Sequence, residues 1–299
     1  MKKFVLLLVS TLLSLTLVMV SCSKNPAAPS SLSGQNSPAG PDGTLPGYDL
    51  LWSDEFNLPN GSPPDPSNWT LELGNNGGWG NGEVQYYTSS TKNAFCSNGN
   101  LYIRVINESY SGFNYTSARL ISASKRTFTP TSGHPLRIEA RIKVPTGNGY
   151  WPAFWMMGQN FFSGVSWPYC GEIDIMEVAA FNPFKCLGTF HYGYSGTNSG
   201  TPWWTGDCGW GGFDTTCSTN LANNYHVYRV DWDSTGKLTW YFDGVSAGNV
   251  TPGHYVFDGG KSFFLLLNVA VGGSLGGNAS AGTYPGAMVV DYVRVYQVH

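Results

Sequence analysis

The sequence predicts an all-β fold, a β-sandwich jelly roll built from two antiparallel sheets. The clearest support is a nine-residue alternation over residues 136–144, where apolar side chains alternate with Arg, Glu or Lys. Glycine, with 38 residues, supplies the tight turns that many short strands need. Aromatic residues make up 15% of the chain, which suits half-buried strands and flat apolar surfaces for a ligand.

Five further segments are rich in β-branched and aromatic residues and are separated by clusters of Gly, Pro and Asn. They are residues 101–106, 225–232, 238–242, 263–271 and 288–296. Strands of this kind bury one face each, and they do so by pairing into sheets that pack face to face. The sequence therefore favours a sandwich of the jelly-roll kind.

The amino-terminal part of the chain predicts export. Residues 1–21 begin with a basic pair followed by an apolar run, which is typical of a signal peptide. Residues 20–22 (VSC) resemble the lipobox of bacterial lipoproteins, in which Cys22 would carry the lipid; a plain cleaved signal is the alternative. Residues 22–46 are rich in Ser, Pro, Gly and Asn and predict a flexible linker. The expected location is secreted or at the cell surface, with a lipid anchor in the bacterial outer membrane as the one membrane contact.

Residues 47–299 are long enough for a sizeable core, and we expect them to form a single catalytic domain and a monomer. The formal net charge is −3 and the Lys and Arg residues form no run, so nucleic acid is not an expected partner. Five cysteines follow Cys22, an odd number in an oxidising compartment, and at least one should be unpaired. Cys208 and Cys217, which close a short loop, are the expected disulfide. No His/Cys spacing resembles a zinc site.

Three carboxylates lie within six residues of one predicted strand. Residues 172–177 read EIDIME, with Glu172, Asp174 and Glu177 among strand-forming apolar side chains. In a regular strand Glu177 would face away from the other two, because it lies an odd number of positions from both. A β-bulge that puts the two residues before Glu177 into one ladder position would return it to their face.

With that bulge, the spacing of the two glutamates suits a glycosidase. Four strand steps separate the Cα atoms of Glu172 and Glu177 by about 13 Å, and two side chains of about 4 Å leave about 5 Å between the carboxyls. Retaining glycosidases have this separation, because one carboxylate attacks and the other transfers the proton. A solvated strand face is the alternative. Charged residues make up only 12% of the chain, however, so a cluster of three acids favours a site.

Residues 171–177, GEIDIME, resemble the bulged active-site signature of glycoside hydrolase family 16, laminarinase type. Other blocks occur in the order that the family has. They are LWSDEF at 51–56, GWGNGEVQYYT at 78–88, YTSARL at 115–120, WPAFWM at 151–156, NVAVGG at 268–273 and DYVRVY at 291–296. The resemblance covers residues 47–297.

This resemblance implies a concave substrate cleft and retaining endo-hydrolysis of β-1,3-glucan, with a β-glucan polysaccharide or oligosaccharide as partner. By position, Glu172 is similar to the nucleophile, Glu177 to the general acid/base and Asp174 to the residue that tunes the nucleophile. No organic cofactor is implied, since carboxylates suffice for this chemistry. Two alternatives stay open: another specificity of the same family, such as mixed β-1,3/1,4-glucan, and a non-catalytic glucan-binding module.

Seven further residues match substrate-binding positions of the family. Trp151, Trp155 and Trp167 are similar to its sugar platforms, because the apolar face of a pyranose ring stacks on an indole. Burial in the core is the alternative for these tryptophans. The polar residues similar to those that bind sugar hydroxyls are Asn81, Glu83, Arg119 and His191. For His191 a structural role is the alternative.

The resemblance also implies a structural calcium ion. On its strand Asp291 should share a face with three valines that are buried, and a buried carboxylate needs a partner. In the family this Asp binds calcium together with backbone oxygens near Glu55 and Gly99, and oxygen-only ligation suits calcium. A hydrogen-bonded Asp291 without metal is the alternative.

Overall fold

The computed structural model describes residues 43–193, 208–251 and 261–299, with the backbone alone for residues 208–215. The predicted signal peptide, residues 1–21, and most of the predicted linker, residues 22–46, lie outside the described residues. The described part is a sandwich of two β-sheets, which confirms the predicted fold class. None of its helices is long and apolar enough to cross a membrane.

Short and long strands follow one another along the chain. In chain order they are β1 (Tyr48–Asp54), β2 (Thr70–Leu71), β3 (Tyr86–Tyr87), β4 (Ala94–Ser97), β5 (Asn100–Tyr110), β6 (Phe113–Ser117), β7 (Arg119–Ile121), β8 (Thr127–Phe128), β9 (Leu136–Lys143), β10 (Tyr150–Gly158), β11 (Glu172–Glu177), β12 (Lys185–Gly193), β13 (Cys208–Thr216), β14 (His226–Trp232), β15 (Leu238–Phe242), β16 (Val245–Val250), β17 (Phe263–Val271) and β18 (Gly286–Val298). The described helices are short: α1 (Gly273–Gly276) and two 3₁₀ turns, Gln159–Ser163 and Ala279–Ala281. All six segments predicted from periodicity are strands.

The strands form a ten-stranded and an eight-stranded sheet. The larger sheet has the order β16-β15-β14-β9-β18-β5-β6-β3, with β1 beside β18 and β4 beside β5. The smaller has the order β13-β12-β11-β10-β17-β7-β2, with β8 beside β17. Neighbouring strands are antiparallel except β3 and β6, which are parallel. The three acids of β11 therefore lie near the middle of the smaller sheet.

The core lies between the sheets and takes its side chains from alternate positions of each strand. In β9 the apolar positions are buried as the alternation predicts. The charged positions differ from the prediction, because Arg137 and Glu139 are also buried, at 3% and 0% exposed. Arg137 donates from Nε to Glu139 (2.6 Å), and the hydroxyl of Tyr292 donates to the same carboxylate (3.2 Å). Pairing and these hydrogen bonds offset the free-energy cost of removing the two charges from water.

The predicted disulfide between Cys208 and Cys217 is wrong. Residues 208–216 form strand β13, in which Cys208 lies opposite Gly193 and Thr216 opposite Lys185. An extended stretch of this length separates Cys208 from Cys217 by about 30 Å, far beyond the reach of a disulfide. Cys217 is buried and forms no disulfide with any residue that the structure describes.

The prediction that Asp291 is buried among the valines of its strand is wrong. The register of β18 against β9 shifts between Val290 and Tyr292, so a bulge interrupts the alternation at Asp291. The carboxylate is half-exposed and accepts a hydrogen bond at Oδ2 from Nη1 of Arg141 (2.6 Å).

Candidate active site

A bulge at Ile175 shapes the candidate site. On one side of β11, Asp174 pairs with Trp155 and Met176 with Phe154, so that Ile175 has no partner position. The pairing with β12 on the other side shifts register over the same residues. The structure therefore confirms the bulge predicted from the odd spacing of the acids.

The bulge separates the apolar and acidic side chains of β11 onto two faces. Ile173, Ile175 and Met176 are each at most 1% exposed and pack in the core between the sheets. The three carboxylates lie on the opposite face of the eight-stranded sheet, which we call the site face. Two consecutive apolar residues enter the core, which a regular strand does not allow.

Trp240 of the opposite sheet stabilises the bulge from the core side. Its indole Nε1 donates to the backbone carbonyl of Asp174 at 2.8 Å, inside the core. A bulge interrupts the ladder of backbone hydrogen bonds, and a buried carbonyl left without a donor destabilises the fold by about 1–3 kcal/mol. Trp240 was not predicted as a site residue, because nothing near it in the sequence links β15 to β11.

Glu172 and Glu177 each accept a hydrogen bond from the indole of a different tryptophan. Trp167 donates from Nε1 to Oε2 of Glu172 (3.1 Å), and Trp151 donates from Nε1 to Oε1 of Glu177 (2.9 Å). Both tryptophans were predicted as sugar platforms. The structure places them against the carboxylates, and Trp151 is only 8% exposed, so orientation of the acids is a role that the sequence did not suggest.

His191 lies on β12 directly opposite Glu172. Its Nε2 is 3.9 Å from Oε1 of Glu172 and 3.5 Å from Oδ2 of Asp174. Asp174 is 4% exposed, and its Oδ2 has no hydrogen-bond partner among the described residues. The predicted site residue His191 is therefore placed beside the acids themselves.

Burial and mutual repulsion alter the ionisation of all three acids. Burial raises the pKa of Glu172 well above its usual range, the charge of Asp174 adds to the rise, and His191 opposes it. Burial and the charge of Glu177 raise the pKa of Asp174 well above its usual range. Burial also raises the pKa of Glu177. The three carboxyl groups therefore do not all ionise together near neutral pH.

A fourth carboxylate, that of Glu83, is held in a hydrogen-bond network at one side of the site face. It is 6% exposed. Its Oε2 accepts from Nε2 of Gln85 (2.6 Å) and from the hydroxyl of Tyr87 (3.1 Å), and its Oε1 accepts from Nδ2 of Asn81 (3.2 Å). Asn81 itself is exposed. The predicted pair Asn81 and Glu83 is thus brought together, with Gln85 and Tyr87 as partners that the prediction omitted.

Asn268 connects this network to the tryptophans. It donates from Nδ2 to the hydroxyl of Tyr87 (3.1 Å), and its Oδ1 accepts from Nε1 of Trp155 (2.8 Å). Trp155 is half-buried and shares the site face with Trp151, as their even spacing predicts. Asn268 lies in a block already noted as similar to the family, so its position was available from sequence although its role was not.

Arg119 holds the loop before β3 against the sheet. Its guanidinium carbon lies 4.5 Å from the ring centre of Trp79 and 4.8 Å from that of Trp155, between the two indoles. Its Nε donates to Glu72 at 2.5 Å. Cation–π contacts with two indoles leave little of this guanidinium open, and Arg119 is 8% exposed.

Comparison with known proteins agrees with this geometry. The family model for Glycosyl hydrolases family 16 matches residues 81–294 of the chain. The chain belongs to this family. This family 16 hydrolase is 35% identical over 270 residues to a beta-glucanase of Rhodothermus marinus, covering 84% of the chain and 86% of the relative. It resembles the solved endo-beta-1,3-glucanase of Pyrococcus furiosus with a TM-score of 0.71 and 38% identity, covering 86% and 97% of the two chains.

A third relative is longer than this hydrolase. The Glucan endo-1,3-beta-glucosidase A1 of Niallia circulans is 34% identical over 283 residues, which cover 86% of this chain but 39% of the relative. The chain therefore spans well under half the length of that protein.

Replacing Trp240 by Phe should weaken both stability and activity. The change removes the donor to the Asp174 carbonyl, so we expect a loss of about 1–3 kcal/mol in the free energy of unfolding, measured in urea. The smaller volume of Phe adds a further loss of stability. The control for this volume effect is the change of Trp232 to Phe, because Trp232 is equally buried and packs its ring against Phe263. If the two variants lose hydrolytic activity to the same extent, the support of the bulge by Trp240 is contradicted.

Proposed function

We propose that this family 16 hydrolase is a retaining endo-β-1,3-glucanase of the laminarinase type, which degrades laminarin-like polysaccharide. The observation that carries the proposal is the bulge at Ile175, which puts Glu172 and Glu177 on one face, each with its own indole donor. The relatives from Niallia, Rhodothermus and Pyrococcus, all named as β-glucan hydrolases, support the substrate class.

The reaction proceeds by double displacement. A carboxylate oxygen of Glu172 attacks the anomeric carbon, the glycosidic bond breaks, and the proton of Glu177 passes to the leaving oxygen. A glycosyl ester on Glu172 results. Water then gives a proton to Glu177 and attacks the same carbon, which releases Glu172 as carboxylate and restores the original configuration.

The raised pKa values fit this assignment. Asp174 is the most enclosed acid and keeps a proton, because burial and the charge of Glu177 both favour its neutral form. Burial raises the pKa of Glu172 in any state of its neighbours, but when Asp174 and Glu177 are neutral their repulsion no longer adds to that rise. The charges of His191 and Arg119 lower the pKa of Glu172. Both effects favour the ionised form of Glu172, which a nucleophile requires.

Two other functions share the fold. A mixed-linkage glucanase or another specificity of family 16 would keep the carboxylates and change residues around them. A non-catalytic glucan-binding module would need neither glutamate, and the enclosed, indole-bonded pair therefore favours the enzyme.

The protein is further proposed to be exported. The support is the signal-like run of residues 1–21, the lipobox-like end at Cys22 and the polar linker of residues 22–46. On this proposal the catalytic domain acts outside the cytoplasm, as a polysaccharide too large for uptake requires.

Calcium is proposed as a structural ion on the ten-stranded sheet, held by Asp291 and by the backbone carbonyls of Glu55 and Gly99. Asp291 accepts a hydrogen bond at Oδ2 from Nη1 of Arg141, which leaves Oδ1 for a cation. Both carboxylate oxygens of Glu55 accept from Arg294, so its backbone carbonyl would be the ligand. The donors are all oxygens, which fits calcium.

Hydrolysis of laminarin, barley glucan and agarose tests the main proposal. We expect laminarin to be cleaved fastest, with the β-anomer appearing first in proton NMR. The change of Glu177 to Gln should lower kcat by about 100- to 10,000-fold, because proton transfer is lost. The matched control is Glu108 to Gln, since Glu108 pairs with exposed Lys92 away from the site face. Binding of laminarin without hydrolysis would favour the non-catalytic module, and faster cleavage of barley glucan would favour the mixed-linkage enzyme.

Replacing Trp151 by Phe should move the alkaline limb of the pH profile upward. The Trp151 indole lowers the pKa of Glu177, because the hydrogen bond favours the ionised carboxylate. Removing it raises that pKa, so Glu177 stays protonated, and active as an acid, to higher pH. The measurement is kcat/KM against pH. Trp155 to Phe is the control, as its indole donates to Asn268. The acid role of Glu177 would be contradicted if the alkaline limb moved downward in the Trp151 variant, or moved equally in the Trp151 and Trp155 variants.

Removal of divalent cations tests the calcium proposal. A chelator should lower the Tm, by about 2–4 °C for each kcal/mol of binding free energy in a domain of this size. The Asp291 to Asn variant should start at a lower Tm and respond less to the chelator. An unchanged Tm of the parent protein on chelation would rule the ion out.

A further inference from the structure

Three potential metal ligands meet between β11 and β12. Glu172, Asp174 and His191 each offer one ligand atom, and these three atoms all lie within 4.8 Å of one another. The pairing of Glu172 with His191 across the two strands produces this arrangement, with Asp174 two positions along the same face. No sequence motif reveals it, because the ligands come from two separate strands.

An enclosed acceptor without a donor points into this cluster. Asp174 is 4% exposed, and among the described residues its Oδ2 accepts no hydrogen bond. The Nε2 of His191 lies 3.5 Å from this oxygen and does not form a hydrogen bond with it. An enclosed oxygen of this kind is unfavourable without a proton or a cation beside it.

The donor set selects the type of ion. Two carboxylate oxygens and one imidazole nitrogen suit zinc and similar transition-metal ions, whereas calcium and magnesium take oxygen ligands alone. Two ligands of a tetrahedral zinc ion lie about 3.4 Å apart, given bonds of about 2.1 Å. The separations of His191 Nε2 from Asp174 (3.5 Å) and from Glu172 (3.9 Å) are close to that value.

We propose that Glu172, Asp174 and His191 bind a zinc-like divalent ion in the absence of glucan, and that this ion inhibits the enzyme reversibly. The two carboxylates balance the charge of the ion, and a water molecule completes its coordination. A metal ion on one oxygen of Glu172 draws negative charge from the carboxylate, which makes that carboxylate a weaker nucleophile. The inhibitory effect rests on the proposed function, whereas the binding of the ion does not.

Calorimetric titration of the purified protein with zinc chloride tests the site. We expect one ion per chain, and weaker binding when laminaritetraose is present in excess. The change of His191 to Gln should weaken zinc binding by about 100-fold or more, since even outer partners of a metal account for 10- to 100-fold. His134 to Gln is the matched control, because His134 is exposed and contacts the backbone carbonyl of Val298 on the other sheet. The change of Glu172 to Gln is a second variant with the same expected loss.

The outcomes separate this proposal from the proposed function. If zinc binds with the expected dependence on His191 but no glucan is cleaved, the proposed function fails and the metal site stands. If laminarin is cleaved but the parent protein binds no zinc, or the His191 and His134 variants bind it equally, the metal site is wrong. Both proposals would be supported if zinc inhibits laminarin cleavage, if a chelator reverses this inhibition, and if the inhibitory zinc concentration matches the affinity measured by calorimetry.

Discussion

The extra residue at Ile175 is the constraint on which the site depends. Without it, Glu177 would enter the core and Met176 would face the substrate side, because side chains of a regular strand alternate. With it, three acids share one face while three apolar side chains fill the core. The interrupted ladder is completed by Trp240 from the opposite sheet. The chemistry of one sheet therefore relies on an indole of the other, across the hydrophobic interior.

Crowding of the buried acids raises their pKa values and also leaves a buried oxygen without a hydrogen-bond donor in the part of the chain that the structure describes. Burial raises the pKa of Glu172, Asp174 and Glu177, so each of them keeps its proton to higher pH than an exposed carboxyl group does. The same crowding suits the proposed role of Glu177 as general acid, and among the described residues it leaves an oxygen of Asp174 without a donor. The proposed protonation of Glu177 and the proposed affinity of the cluster for a metal ion thus have one physical origin. That origin is the concentration of negative charge in a buried site.

Local patterns in the sequence predicted the strands and the bulge. The alternation of β9 and the odd spacing of Glu177 are short-range signals, and both were read correctly. The failures came from features without such signals. Residues 208–216 have too many glycines to suggest a strand, yet they pair with β12 along its full length. A second bulge turned Asp291 outward, and Trp240 contacts Asp174 from a distant part of the chain.

The guanidinium of Arg119, held between Trp79 and Trp155, fixes the glycine-rich loop to the sheet before any ligand arrives. Gln85 reinforces this attachment by accepting a hydrogen bond from the backbone amide of Val271. A segment with so many glycines would otherwise lose considerable conformational entropy when a saccharide docked against it. Much of that entropy is lost during folding instead, so the loop is already ordered when the proposed polysaccharide substrate binds.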